Sequence, residues 1–107
     1  MNEIMLVGRV KKLPEMFQTS KGTTVGRMVV EAERNFRNED GSISFDLFQV
    51  TLWRGIAEEC AAACKEGNLI AVRGRIKSDV FERNGTNYYN TEIIAEKVSF
   101  LEKAGLA

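Results

Sequence analysis

Residues 45–54 constrain the fold more than any other part of this chain, because apolar and polar side chains alternate along them. Period-two alternation predicts a β-strand with two different faces, since successive strand side chains point to opposite sides of a sheet. Phe48, Val50 and Leu52 share one face, which we expect to pack on a core. The other face carries Leu47, Gln49, Thr51 and Trp53, the single tryptophan of the chain.

Strands of the same kind are predicted on both sides of this stretch. Two precede it, over residues 1–12 and 23–34, and two follow it, over residues 69–80 and 88–95. Pro14 is expected to close the first strand, because proline cannot donate a hydrogen bond to a strand ladder. In the second strand the side chains expected to face inward are Met28, Val30 and Ala32. In the fourth strand those that share one face are Ile70, Val72, Ile76 and Val80.

Turns and one helix connect these strands. Lys21-Gly22 and Asn84-Gly85 are turn signals, and residues 35–44 are predicted to form a polar hairpin loop that carries Phe36. After the third strand the period becomes helical, at Ile56, Cys60, Ala63 and Cys64. Gly67 is expected to end this helix. The two cysteines are expected to be buried thiols, because no third cysteine and no histidine is present to complete a metal site.

Three strands, one helix and two further strands predict an all-β fold. We expect a five-stranded OB-fold barrel with one helix between the third and fourth strands. The chain of 107 residues is long enough for one domain, which we assign to residues 1–102. Residues 103–107 are expected to be a short flexible end without an acidic tail.

Composition excludes several functions. The formal net charge is zero, which argues against a highly cationic binder, and the absence of histidine removes the commonest general base. Residues 22–26 contain two glycines but lack the Lys-Ser/Thr of a P-loop. We therefore expect neither an enzyme nor a cofactor or metal site. No apolar run is long enough to span a bilayer, and no secretion signal is recognisable, so a cytoplasmic location is expected, with no membrane partner.

Aromatic residues with neighbouring bases are the strongest functional signal. Single-stranded nucleic acid offers a charged backbone and exposed base faces, so a nonspecific binder needs Lys or Arg beside flat rings. Phe36, Trp53 and Phe81 each have such neighbours, and each ring alone could equally pack in the barrel. The bases expected to contact phosphates are Arg34, Arg37, Arg54, Arg75 and Lys77. The remaining members of the predicted binding set are Arg9, Lys11, Arg73 and Tyr88.

Several segments, in their order and spacing, resemble the bacterial single-stranded DNA-binding protein family over essentially the whole chain. They are residues 1–10, 14–15, 46–54 with 57–58, 65–69, 74–75, 89–94 and 98–101. The resemblance implies an OB-fold barrel, a homotetramer or dimer of dimers, and sequence-independent wrapping of single-stranded DNA near the nucleoid. It places the stacking positions at Phe36, Leu47, Trp53 and Phe81. Leu47 departs from the family's usual aromatic residue, which implies weaker stacking there.

Family members usually continue into a flexible linker and an acidic tip that recruits other proteins. This chain ends at Leu106-Ala107, so we expect no tail-dependent partners. Either a tail was removed, or the chain is a naturally short relative of the competence, phage or mobile-element kind.

The sequence thus predicts a protein that binds and protects single-stranded DNA in replication, repair, recombination or DNA uptake. The alternative is a primosomal or replication-restart accessory barrel that acts mainly through protein contacts. An RNA ligand is a third possibility, since no residue here distinguishes the sugar hydroxyl.

Overall fold

The computed structural model describes residues 1–102 as five strands and one helix. In chain order these are β1 (Ile4–Gln18), β2 (Thr24–Arg37), β3 (Ile43–Trp53), α1 (Gly55–Ala63), β4 (Leu69–Arg83) and β5 (Thr86–Phe100). This order confirms the predicted one. The flexible end predicted for residues 103–107 lies outside the described residues. None of the described segments forms a helix long and apolar enough to cross a membrane.

The five strands close into a barrel in the order β1-β2-β3-β5-β4, which confirms the predicted OB-fold architecture. All neighbours run antiparallel except β3 and β5, which pair in parallel over two positions, Val50 with Ile93 and Thr51 with Ile94. This short parallel contact closes the barrel. Beyond it the β4–β5 hairpin separates from β3, so a groove opens between them.

The core lies inside the barrel, and α1 covers one end of it. Apolar side chains of alternate parity on the strands are fully buried there, and these include Met28, Val30, Val50, Leu52, Ile70 and Val72. From α1 the buried positions are Ala57 and Cys60, followed by Cys64 just after the helix. The two cysteines are buried free thiols, as expected. Cys64 and burial together raise the pKa of Cys60 above its ordinary value.

The first strand does not end at Pro14, and that prediction is wrong. β1 continues to Gln18, and its pairing with β2 shifts register on both sides of Lys12 before resuming at Glu15 opposite Arg27. Pro14 lies in the irregular interval between Lys12 and Glu15, where the strand pairing does not need a backbone N–H donor. A bulge therefore accommodates the proline within the strand.

The helix ends before Gly67, so the predicted helix stop is also wrong. α1 ends at Ala63, and Cys64 already has an extended backbone. Gly67 instead belongs to the next turn, where its φ of 86° favours glycine and its N–H donates to the Val10 carbonyl at 2.8 Å.

Both long hairpins extend further than predicted. β2 continues to Arg37 and pairs there with Ile43, so Phe36 lies on a strand and not in a loop. β4 continues to Arg83, and Asn84 and Gly85 form the predicted two-residue turn with φ angles of 52° and 78°. Because this hairpin extends beyond the barrel, Ile76 and Val80 share the parity of buried Val72 but are themselves exposed.

Candidate nucleic-acid interface

The outer face of β3 exposes large apolar side chains at several positions. Trp53 is 39% exposed and Leu47 is 59% exposed, and Phe45 stands on the same face. Thr51 lies between them but is buried, and its hydroxyl is hydrogen-bonded to Glu92 of β5. The sequence analysis missed Phe45 although its parity matches that of Leu47. We name Phe45, Leu47, Gln49, Thr51 and Trp53 the β3 outer face.

The β2–β3 hairpin presents Phe36 next to two arginines. Phe36 is 63% exposed. Arg34 donates from Nε and from one terminal nitrogen to Asp46, at 3.1 and 3.0 Å, and this contact raises the pKa of Arg34. Arg37 donates to the Gly41 carbonyl at 3.1 Å, so it also braces the hairpin tip. Both cations are exposed, and each still has N–H groups available for a phosphate.

Side-chain hydrogen bonds hold the tip of this hairpin. The Asn38 amide donates to the Ser42 and Ser44 hydroxyls, at 3.0 and 2.9 Å. Asp40 accepts from the hydroxyl and the backbone N–H of Ser42, and these bonds lower the pKa of Asp40 below its ordinary value. The carboxylate stays charged at neutral pH, so this tip presents a negative group near Arg37.

The β4–β5 hairpin carries a second aromatic group. Phe81 and Tyr88 are cross-strand partners, and their rings stack with centroids 5.5 Å apart and planes inclined by 20°. Arg75 and Lys77 share the parity of Phe81, so all stand on the outer side of the hairpin. Lys77 lies 3.7 Å from Asp79, a contact between two exposed side chains that screens its charge only in part.

A groove of about 590 Å³ separates the β3 outer face from this hairpin. Its β3 wall includes Leu47 and Gln49, its hairpin wall includes Asn90 and Glu92, and Arg27 of β2 reaches into it. The amide side chains of Gln49 and Asn90 each offer donors and an acceptor, which can meet base edges. The groove thus places polar side chains between the β3 outer face and the β4–β5 hairpin.

Arg54 directly follows Trp53 in an unusual backbone conformation. Its φ and ψ are 52° and −125°, values that suit glycine in a tight turn. Its N–H donates to the Thr24 carbonyl at 2.8 Å, and its exposed side chain stands at the start of α1. Arg54 thus combines backbone strain with an exposed cationic side chain next to an exposed tryptophan.

The remaining predicted cations are less well placed. Arg9 lies 2.9 Å from Glu102, and Lys11 lies 3.6 Å from Glu31. Arg73 pairs with Met5 of β1 and stands on the side of the barrel formed by β1, β4 and β5, whereas Trp53 lies on β3. The structure therefore groups Arg54, Arg75 and Lys77 with the exposed rings, but does not bring Arg73 to them.

The sequence analysis did not identify two further residues near Trp53, which are Phe17 and Arg27. Phe17 of β1 and Trp53 of β3 both pair with Val25 of β2, so all three share one face. The guanidinium carbon of Arg27 lies 4.9 Å from the Phe17 ring centroid. The sequence analysis missed Phe17 because it ended the first strand at Pro14, and the two register shifts of β1 decide which β2 residue Phe17 meets.

Comparison with known proteins gives the family. A sequence model described as the single-strand binding protein family matches residues 1–101. The chain belongs to this family. The resemblance inferred from the sequence is therefore confirmed.

Bacterial single-stranded DNA-binding proteins are among its similar relatives. Single-stranded DNA-binding protein B of Bacillus subtilis strain 168 is 40% identical over 102 residues, which are 94% of this chain and 90% of the relative. Single-stranded DNA-binding protein 3 of Listeria innocua is 41% identical over 103 residues. The match covers 95% of this chain but 64% of the Listeria protein, so relatives in the family differ considerably in length.

Solved structures of family members share the fold. A Plasmodium falciparum single-stranded DNA-binding protein, solved in complex with single-stranded DNA, gives a TM-score of 0.76 at 21% identity, covering 95% of this chain and 96% of that one. The small single-stranded DNA-binding protein of Streptomyces coelicolor gives 0.68 at 20% identity, covering 94% and 95%. At such low identity these likenesses establish the barrel and its connections.

Proposed function

We propose that the chain binds single-stranded DNA without sequence preference, by stacking bases on exposed rings and pairing phosphates with arginine and lysine. The observation that carries the proposal is the β3 outer face, where Trp53 and Leu47 stay exposed next to Arg54 in a member of this family. A base has an apolar π-face whatever its identity, so stacking of this kind tolerates any sequence.

The proposed path follows the groove. A DNA strand that stacks on Trp53 would pass Gln49 and Leu47 and then reach the Phe81–Tyr88 pair on the hairpin. Phe36 would stack a base at the other end of β3. Arg54, Arg75 and Lys77 are the cations best placed for phosphates along it. Arg9, Lys11 and Arg34 would first have to leave or share their carboxylate partners.

In the cell such binding would coat and protect single strands in replication, repair, recombination or DNA uptake. The protein would act by binding rather than by catalysis, in the cytoplasm beside the nucleoid, because that is where its proposed ligand occurs. Coating of this kind needs no tail-dependent partner.

Self-association is part of the proposal. Met5 and Val7 of β1 are exposed apolar residues on the outer side of the β1–β4 pair, opposite Arg73 and Ala71. An exposed apolar strip of this kind suits burial against another protein surface. We propose that a second copy covers it, in a dimer or a dimer of dimers. Light scattering with and without single-stranded DNA measures the assembly, and a monomer under both conditions would contradict it.

The ligand class is tested by competition on a labelled oligodeoxythymidine. Unlabelled single-stranded DNA of several sequences should displace it equally well, duplex DNA should compete poorly, and matched RNA serves as the third competitor. Equal competition by duplex would contradict recognition of exposed bases. Preferential displacement by RNA would change the proposed ligand.

A second candidate is a barrel that acts through protein contacts, as a primosomal or replication-restart accessory subunit would. Val80 and Tyr89 favour it, because they are paired, exposed, and on the hairpin face opposite Phe81. That role predicts that the isolated protein binds single-stranded DNA weakly or not at all and gains affinity when a partner protein is added. Tight binding by the isolated protein would exclude it.

A further inference from the structure

Val25 is buried although it lies outside the core, on the face of the sheet that also carries Trp53. Along β2, Met28 and Val30 point into the barrel, whereas Val25 has the opposite parity and lies outside the core cluster. Val25 is nevertheless 2% exposed. Its direct partners are Phe17 on β1 and Trp53 on β3. Directly paired side chains share a face at about 4.5–5.5 Å between Cβ atoms, so these two rings flank Val25 and account for its burial.

Phe17, Val25 and Trp53 thus form an apolar row across three strands, which we name the aromatic row. The row runs from the exposed ring of Trp53 to the equally exposed ring of Phe17, which is 38% exposed. An exposed apolar surface therefore extends beyond β3 to β1. Phe17 does not belong to the core cluster of the described residues, so packing of the barrel interior does not explain a phenylalanine there.

Arg27 stands next to this row on the same face of β2. Its guanidinium lies over the Phe17 ring, at a distance typical of a cation–π contact. Glu15 is its direct partner on β1, but among residues 1–102 no carboxylate forms an ion pair with Arg27. Phe17 therefore contacts this guanidinium, and among the described residues no carboxylate lies within ion-pair distance of it, although Asp79 and Glu92 line the same groove. Arg9, in contrast, is already engaged by Glu102.

We propose that Phe17 and Arg27 form a phosphate-binding couple that extends the single-stranded DNA path from Trp53 towards β1. The inference rests on the proposed function and deepens it. Arg27 and Trp53 are diagonal neighbours on adjacent strands, roughly 7–8 Å apart at Cα by sheet geometry. A base stacked on Trp53 thus places its own backbone within reach of Arg27. Arg27 also lines the groove with Gln49, so the couple is continuous with the path already described.

The test is a salt titration of oligodeoxythymidine binding by the parent protein and by Arg27→Gln. Loss of one phosphate contact should lower the slope of log affinity against log salt by about 0.7. It should also weaken binding at low salt by about twofold to fivefold, as for one exposed ionic contact. Lys65→Gln is the matched control. Lys65 is an exposed base in the turn after α1, away from the aromatic row and from the outer side of the β1–β4 pair, so its removal should leave the slope unchanged.

Phe17→Leu tests whether the ring positions Arg27. Leucine still covers Val25 but cannot hold a guanidinium by a cation–π contact. Phe17→Leu should therefore weaken DNA binding when Arg27 is present, and should cause no further loss when it is added to Arg27→Gln. Additive effects of the two changes, or normal binding by Phe17→Leu, would overturn the positioning role. Circular dichroism and urea unfolding confirm that each variant is folded.

The outcomes separate this inference from the function itself. If Arg27→Gln keeps the parental slope and affinity while Trp53→Ala weakens binding, the couple is wrong and the proposed function stands. If the parent protein does not bind single strands at low salt, both fail together.

Discussion

Arg54 carries backbone strain that a different residue would relieve. Its positive φ costs a non-glycine residue about 1–3 kcal/mol of folding free energy. Glycine avoids this cost, but it also makes the unfolded chain more flexible, which reduces the net stabilisation. We expect Arg54→Gly to be more stable than Arg54→Ala by about 1 kcal/mol in urea unfolding at equal protein concentration. Both variants lose the cation, so both should bind oligodeoxythymidine more weakly than the parent.

Two results would contradict this expectation. If Arg54→Gly is no more stable than Arg54→Ala, the strain is absent. If both variants bind as tightly as the parent, an arginine is not kept there for DNA, and its conformation has another cause.

Leu47 is the position where an added ring should strengthen binding. It is 59% exposed on the β3 outer face and lines the groove. One stacked base is worth about 1–3 kcal/mol, so Leu47→Trp should tighten oligodeoxythymidine binding by roughly tenfold. Fluorescence anisotropy at fixed salt measures the change.

Val80→Trp is the matched control for this gain. Val80 is 57% exposed but lies on the hairpin face opposite Phe81. A tryptophan there should leave affinity unchanged. Equal tightening by both variants would show that any exposed ring binds DNA and would remove the special role of the β3 outer face.

At the scale of single residues, sequence periodicity predicted which side chains of β3 face outward. Trp53 and Leu47 stand on the outer face as their parity in β3 requires. Phe17 and Arg27 could not be found in this way, because their meeting depends on how β1 pairs with β2 after two register shifts. The two shifts together leave the parity of β1 unchanged but displace its register, so alternation alone does not reveal which residues of β1 and β2 pair.

The β4–β5 hairpin offers a test in which adjacent residues should behave differently. Tyr88 stacks on Phe81 on the outer side, whereas Tyr89 pairs with Val80 on the other side. Tyr88→Ala should weaken oligodeoxythymidine binding by about 1–2 kcal/mol, the lower part of the range for a stacked base. Tyr89→Ala should bind as the parent does in the same titration.

The opposite pattern would assign the DNA face of the hairpin to Val80 and Tyr89. Equal losses in the two variants would indicate instead that the isolated hairpin depends on both rings for its structure. Circular dichroism of the variants distinguishes that case.

At the scale of elements, the existence and order of the strands and the helix were predictable, and several of their ends were not. Pro14 and Gly67 are residues that commonly end strands and helices, yet one sits in a bulge and the other in the turn after the helix. In both cases pairing with a distant strand decided the outcome: β2 resumes its ladder with β1 at Glu15, and Gly67 bonds to Val10. Such long-range pairing overrides a local signal.

Closure of the barrel depends on close approach between β4 and β5 at Gly74. A Cβ atom at Gly74 would collide with the Ile94 backbone carbonyl, whereas one at Gly55 would meet nothing within 4 Å. Gly74→Ala should therefore destabilise the protein by about 1–3 kcal/mol, as overpacking does. Gly55→Ala should be neutral or slightly stabilising, because alanine is the better helix former.

Urea unfolding of the two alanine variants at one protein concentration measures this difference. Equal stability of Gly74→Ala and the parent would mean that β4 and β5 can separate at Gly74, where their pairing shifts register, without cost. The short parallel contact between β3 and β5 would then be the more important closure of the barrel.

For the whole molecule, the central claim is that the β3 outer face stacks the bases of single-stranded DNA. Trp53 is the single tryptophan of the chain, so its fluorescence reports on that face alone. On titration with poly-deoxythymidine at low salt, we expect its emission to be quenched to saturation and to recover as salt is added, because phosphate pairing weakens. Unchanged emission at a DNA concentration where anisotropy shows full binding would contradict stacking at Trp53.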